Sequence, residues 1–212
     1  MRLFREVLSK RQTEILPHLF FLKEERFYLA GGTALALQIK HRTSIDFDFY
    51  TEAEFLPEDI IELFQKETKE ITEIQTGRGT LISRIKRVEV SLFHYPYLLL
   101  EPFVESKNLN LASLKDIAAM KLIAIIQRGT KRDFFDLYFL IRNFGLEKII
   151  ELTQKKYPPF NPYLALQALT YFEDAEKEDL NERKIIFFKP VSWNKVKESF
   201  IKEVRVYKKK LE

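Results

Sequence analysis

No cysteine occurs anywhere in these 212 residues. A disulfide framework, a thiolate metal site and a cysteine nucleophile are therefore excluded. Histidine is nearly as scarce, and His18, His41 and His94 are too scattered to suggest a zinc cluster. Long apolar runs are missing too; none approaches the roughly 20 residues of a membrane-spanning helix. The stretch from Met1 to Glu6 lacks the apolar core of a signal peptide, so the expectation is a soluble cytoplasmic protein without a membrane partner. Charge of one sign is not in large excess: 35 Lys and Arg against 31 Asp and Glu leave a net +4, with a pI near 9.0. Such a balance is compatible with a polyanionic partner, but it is not the dense positive field of a dedicated nucleic-acid binder.

What the chain does have is concentrated in one stretch. Glycine is rare, with 6 residues, yet Gly31 and Gly32 are adjacent and are followed by Thr33, Ala34, Leu35, Ala36 and Leu37. Shortly afterwards comes His41-Arg42-Thr43-Ser44-Ile45-Asp46-Phe47-Asp48-Phe49. Asp46 and Asp48 are two apart, so on a strand from Ile45 to Phe49 both carboxylates leave one face while Ile45, Phe47 and Phe49 enter the core. Two hard oxygen ligands converging in this way suit a magnesium (or manganese) ion held against a polyphosphate, because such an ion takes one or two carboxylates plus substrate oxygens.

The flanking pattern alternates strands and helices. Leu3 to Phe21 reads as a helix interrupted at Pro17, and Phe27 to Ala30 as a short strand that the glycine pair turns into a helix. Ile45 to Tyr50 reads as the second strand and Pro57 to Glu70 as a helix starting near its proline. Ile71 to Gln75, Thr80 to Ile85 and Val88 to Phe93 alternate as strands, with a turn at Gly77-Arg78-Gly79. From Ser113 the pattern becomes helical: a capping-box start runs to Arg128, and Gly129 and Thr130 lead into a second helix ending near Asn143. Further helices are expected over Leu146 to Gln154, Tyr163 to Phe172 and Trp193 to Lys209. The reading is an α/β (α+β) core over residues 1–107 and a helical part over 108–212, packed as one body.

Taken together with the later run Lys121-Leu-Ile-Ala-Ile-Ile-Gln-Arg128-Gly-Thr-Lys-Arg132-Asp133-Phe-Phe-Asp136-Leu-Tyr, these blocks resemble the AbiEii nucleotidyltransferase toxin family, within the polymerase-beta-like nucleotidyltransferases. The likeness extends over about residues 27 to 140. It implies a mixed sheet flanked by helices, and transfer of a nucleoside monophosphate from a nucleoside triphosphate (NTP) to an acceptor. Relatives act on transfer RNA (tRNA), and many are encoded beside an antitoxin. The residue roles follow from what the reaction needs. Asp46 and Asp48 hold the metal, while Gly31, Gly32 and the Thr33 hydroxyl offer donors to the triphosphate. Arg42 and Ser44 bind phosphate oxygens. From the helical half, Lys121 meets phosphate or base, and Asp133 or Asp136 orients that cation; the resemblance adds Arg132 to the nucleotide-binding set.

One departure stands out against the family pattern. Many polymerase-beta-like enzymes carry a third carboxylate on a later strand, and here Ser91 stands where it is expected. Serine is no general base unaided near neutral pH, and Glu89, two residues away on the same strand face, is the candidate substitute metal ligand. Plainer readings stand beside each assignment. The glycine pair is a simple strand-to-helix turn, the aspartates are a solvated strand face, and Glu89 is a surface residue. Asp133 is a capping acid, Arg132 pairs with Asp136, and Lys121 snorkels to the surface. At the level of the whole chain the alternatives are a nucleotide- or RNA-binding module without turnover, or an interaction protein using aromatic surfaces around Phe93 to Phe103 and Phe187 to Trp193.

Overall fold

The computed structural model describes residues 3–180 and 184–211. Met1 and Arg2, the start of the stretch read against a signal peptide, lie outside the described residues. The chain divides into two compact units, Met1–Leu98 with Pro102–Ser113, and Leu99–Glu101 with Leu114–Glu212. No helix among the described residues is long and apolar enough to cross a membrane.

The first unit is built on a seven-stranded mixed sheet. Its strands are β1 (Tyr28–Leu29), β2 (Phe47–Thr51), β3 (Ile71–Gly77), β4 (Thr80–Ile85), β5 (Val88–His94), β6 (Val104–Glu105) and β7 (Asn110–Leu111). They lie in the order β3-β4-β5-β2-β1-β7-β6. β2 runs parallel to β5, and β1 parallel to β7; the other neighbours are antiparallel. The centre of the sheet follows from alternation: Phe47 and Phe49 are fully buried while Asp48 and Tyr50 between them are only half-buried. Burying two phenylalanines contributes about 1.5–3 kcal/mol each, so a one-residue slip of β2 would lose both and bury charge in their place. At the far edge β3 is largely exposed, and its register shifts between Thr72 and Gln75 around Glu73, which has φ +52°. Such an irregularity twists an edge strand away from further pairing.

Three α-helices belong to this unit: α1 (Lys10–Ile15), α2 (Gly31–Ile39) and α3 (Pro57–Glu67). The expected long helix from Leu3 to Phe21 is instead a 3-10 turn at Arg5–Val7, then α1, then a 3-10 segment at Leu16–Lys23. Ser9 explains the break before α1, because it forms a reciprocal capping box with Gln12 and so begins a new helix. Pro17 sits in the first turn of the 3-10 segment, where its missing N–H costs nothing. The two-residue strands β6 and β7 carry no alternation long enough to read and were not expected.

The second unit is helical, with α4 (Leu114–Gln127), α5 (Lys131–Phe144), α6 (Leu146–Lys156), α7 (Pro162–Ala168), α8 (Glu173–Glu176) and α9 (Trp193–Leu211). Glycines mark two of the turns, Gly129 at φ +51° and Gly145 at φ +77°. The helix expected over Tyr163 to Phe172 stops at α7, where the Thr170 hydroxyl donates to the Leu166 and Gln167 carbonyls. Val196, Phe200 and Val204, spaced by four, bury the inner face of α9. Phe200 meets Phe134 edge-on at 5.2 Å, and Trp193 lies 5.7 Å from Phe134. Phe187 packs 4.6 Å from Phe135. The aromatic surface read at Phe187 to Trp193 is therefore turned largely into its own unit, with Ile186 and Phe188 left outward.

Candidate active site

The glycine turn and the aspartates meet at the start of α2. Gly31 has φ +65°, a left-handed conformation that side chains disfavour, and a Cβ there would stand 2.9 Å from Asp48 Oδ2. A Cβ on Gly32 would stand 2.7 Å from Arg42 Nη2 and 3.1 Å from Ser44 Oγ. Both glycines therefore allow polar side chains to press against the backbone at the helix start. Ala30, in the N-cap position, supplies no side-chain acceptor to the first turn of α2.

The approach to β2 is tied to the same helix. Thr33 Oγ1 donates to the Asp46 carbonyl at 2.5 Å, and Ser44 Oγ donates to Asp46 Oδ1 at 3.3 Å. The Ala30 N–H donates to the Asp48 carbonyl at 2.9 Å. Arg42 is buried, and its Nη1 donates to the Thr43 carbonyl at 2.8 Å. All seven residues read from the first block, Gly31, Gly32, Thr33, Arg42, Ser44, Asp46 and Asp48, are thus gathered. One detail differs from the sequence reading. The strand begins at Phe47 rather than Ile45, so Asp46 lies just ahead of it, and Ile45 is 40% exposed instead of entering the core. The Asp46 carbonyl is thus taken by the Thr33 hydroxyl of α2 rather than by the sheet.

The neighbouring strand carries Ser91. Parallel pairing sets Asp48 beside Ser91 and Phe47 beside Val90, so the serine shares the face of the aspartate; it is buried. Glu89 lies two residues back and is half-exposed, with Arg84 Nη2 at 3.8 Å. Among the described residues no group of three or more His, Asp or Glu side chains is placed to hold a metal ion. Two carboxylates with space for phosphate oxygens are nevertheless a donor set that magnesium accepts, and the space that a Gly31 Cβ would fill lies directly at Asp48.

A second cluster belongs to the helical unit. Lys121 Nζ, on α4, is 2.8 Å from Asp133 Oδ1 and 2.7 Å from Asp136 Oδ2, both on α5. All three side chains are buried, which overturns the snorkelling reading of Lys121. Arg128 adds Nε to Asp133 Oδ2 at 2.9 Å, and the Thr130 hydroxyl donates to the same oxygen at 2.7 Å. Thr130 is also the N-cap of α5, accepting from the Asp133 N–H at 3.4 Å, so Asp133 serves cap and cluster at once. Burial alone would raise the Asp133 carboxyl, but Lys121 and Arg128 outweigh it and hold it well below the usual carboxylate range. Arg132 does not pair with Asp136: its Nε goes to Glu178 at 2.7 Å, and Glu178 also accepts from the Arg132 N–H. Asp136 is taken by Lys121.

Sequence reasoning missed Arg128 as a member of this cluster, although it follows Lys121 by seven residues and so by two helical turns on one face. Glu178 gave no local signal, being 46 residues from its partner. Also missed was a fully buried pair, Lys156 Nζ with Asp116 Oδ1 at 2.9 Å, whose carboxylate accepts the Leu100 and Glu101 N–H groups as well.

Comparisons with known proteins bear on the family and the fold. The profile of the family described as "Nucleotidyl transferase AbiEii toxin, Type IV TA system" matches residues 14–203. An uncharacterised protein of Aquifex aeolicus (strain VF5) is 38% identical over 207 residues, which cover 94% of this chain and 97% of that protein. Among solved structures, a Helicobacter pylori protein described as a nucleotidyltransferase shares the fold with a TM-score of 0.61 at 15% identity, covering 95% of this chain and 94% of its own. MenT4, a nucleotidyltransferase toxin from Mycobacterium tuberculosis H37Rv, aligns with a TM-score of 0.51 at 17% identity, covering 91% of this chain and 82% of its own. With a mixed sheet of the nucleotidyltransferase type and a family match over most of its length, the chain belongs to the AbiEii nucleotidyltransferase toxin family.

Proposed function

We propose that this protein is a metal-dependent nucleotidyltransferase that moves a nucleoside monophosphate from an NTP to an acceptor hydroxyl on tRNA, acting as the toxin partner of a protein antitoxin. The observation that carries this reading is the close approach of Gly31 to Asp48: a turn too tight for any side chain, set against a carboxylate at the start of α2. Asp46 and Asp48 would hold magnesium or manganese, which supplies Lewis-acid neutralisation of the triphosphate. The N–H groups at the start of α2 and the side chains of Arg42 and Ser44 orient the phosphate oxygens. In the reaction the acceptor oxygen bonds to the α-phosphorus as the bond to pyrophosphate breaks, and the hydroxyl proton passes to water. Lys121, gripped by Asp133 and Asp136, is proposed to meet phosphate or base, with the two aspartates fixing its position. Arg132 is held by Glu178 and is proposed to steer the nucleotide rather than to touch the reacting phosphorus.

Ser91 beside Asp48 favours a second reading, binding without turnover, because a hydroxyl there takes no proton from the acceptor unaided. A single assay separates the two. Purified protein is incubated with magnesium, total tRNA and each α-labelled NTP in turn. The first reading expects label on the RNA with at least one NTP, and its loss in Asp48→Asn. Nucleotide bound in every case with no label transferred supports the second.

A further inference from the structure

The face of the sheet that carries Asp48 continues into a row of aromatic rings. Register fixes this: Asp48 pairs with Ser91, and two residues further on Tyr50 pairs with Phe93 on one side and Tyr28 on the other. Paired residues on adjacent strands share a face, so a polar row, Asp48 and Ser91, is followed about 7 Å along the strands by an aromatic row across β1, β2 and β5. Tyr28 and Tyr50 stack at 6.1 Å, and Tyr50 and Phe93 lie 5.4 Å apart at 35°. The row extends past the end of β5, where the Tyr95 N–H donates to the Thr51 carbonyl at 2.7 Å. Tyr95 meets Tyr50 edge-on at 5.2 Å, and Tyr97 meets Tyr95 at 4.8 Å. Tyr28 is buried, so it acts as the floor. Tyr50, Phe93, Tyr95 and Tyr97 are half-buried.

A hydrophobic core alone does not explain this composition. The opposite face of the same strands is filled by Phe47, Phe49, Val90 and Leu92, all fully buried, whereas on the Asp48 face Tyr50 and Phe93 are only half-buried. Rings stepped along a sheet surface suit unpaired nucleobases, which stack on aromatic side chains with little regard to sequence, each base worth about 1–3 kcal/mol. We infer that the Tyr50, Phe93, Tyr95 and Tyr97 rings form a stacking track for the unpaired end of a single-stranded RNA acceptor, leading its terminal hydroxyl toward Asp48. The inference rests on the transferase reading for its direction, but not for the binding itself. The occupant is the acceptor strand rather than the base of the incoming NTP, because the track spans four rings and runs off the end of β5, longer than one base requires.

The test measures two affinities on the full-length chain: for a short single-stranded RNA carrying 2-aminopurine near its 3′ end, and for magnesium–NTP. Tyr95→Leu and Tyr97→Leu, both outside the strands, are each expected to weaken RNA binding roughly tenfold while NTP affinity stays within twofold, and Tyr95→Phe to restore RNA binding. Tyr50→Leu adds a larger loss if it folds; the two loop variants keep the test decisive if it does not. Unchanged RNA affinity in folded Tyr95→Leu and Tyr97→Leu overturns the track, and so does a loss confined to NTP, which would give the rings to the incoming base. Release of a copurifying protein by the leucine variants, with RNA affinity unmoved, overturns it in favour of a protein interface. Ring-dependent RNA binding without any label transfer leaves the track standing and removes the transferase reading. Label transfer undiminished in both leucine variants does the reverse.

Discussion

A methyl group added at Gly31 has nowhere to go. The backbone there sits at φ +65°, and the new Cβ would lie 2.9 Å from Asp48 Oδ2. Gly31→Ala is expected to cost about 1–2 kcal/mol in stability through backbone strain, and more in activity. Displacing the Asp48 carboxylate by a fraction of an ångström should slow transfer on the order of ten- to a hundredfold, read as kcat/KM against a matched melting curve. At Asp133 the consequence is one of pH. Its carboxyl is held low in the folded protein, so its contribution to stability is full above the ordinary carboxylate pKa and is lost only as pH falls through the lower folded value. Asp133→Asn should therefore cost about 3–5 kcal/mol at pH 7, by leaving Lys121 with one carboxylate in a buried site, and the gap to the native protein should close only in strong acid, below roughly pH 4. Urea unfolding at a series of pH values checks both parts. The residues of the glycine turn were legible because their signal is local: a rare glycine pair, then two aspartates at strand spacing. Glu178 was not, since nothing within its own segment indicates a partner 46 residues away.

Between elements, the buried ion pairs do the fixing. Lys156 on α6 and Asp116 on α4 have no exposed side-chain surface, and Asp116 also accepts from the Leu100 and Glu101 backbone. Removing one partner leaves an uncompensated charge, so Lys156→Met alone should destabilise by about 3–5 kcal/mol. The double change Lys156→Met with Asp116→Leu should recover part of that loss, though not all, because the two backbone N–H groups then lack an acceptor. A double-mutant cycle in urea measures the difference. Amphipathic elements with long periods, such as α5 and α9, were readable to within two residues, because burial repeats every three or four positions. The short ones were not. β6 and β7 are two residues each and owe their existence to partners in the sheet, while the stretch before β1 broke into 3-10 turns because Ser9 and Pro17 each restart the backbone hydrogen bonding. The strand carrying the aspartates began two residues late for a related reason, since Thr33 claims the Asp46 carbonyl for α2.

For the whole molecule, the family match over residues 14–203 and the mixed sheet fix what kind of protein this is, and the proposed chemistry is centred on the Gly31–Asp48 approach. The sequence reading reached the same family from three blocks of residues. What it could not reach was the register: only the sheet sets Ser91 beside Asp48 and lays the aromatic row next to both. Choice of NTP and of acceptor depends on side chains brought together from several segments, and a linear pattern carries little of that information. The central claim is that a nucleoside monophosphate, rather than a terminal phosphate, is transferred from the Gly31–Asp48 site. Parallel incubations with magnesium and tRNA, one with NTP labelled at the α-phosphate and one with NTP labelled at the γ-phosphate, test it most directly. The account predicts that α-label appears on the RNA, that γ-label leaves as pyrophosphate, and that Asp48→Asn abolishes the former. Label on the RNA from the γ-position, or α-label undiminished in Asp48→Asn, would contradict it.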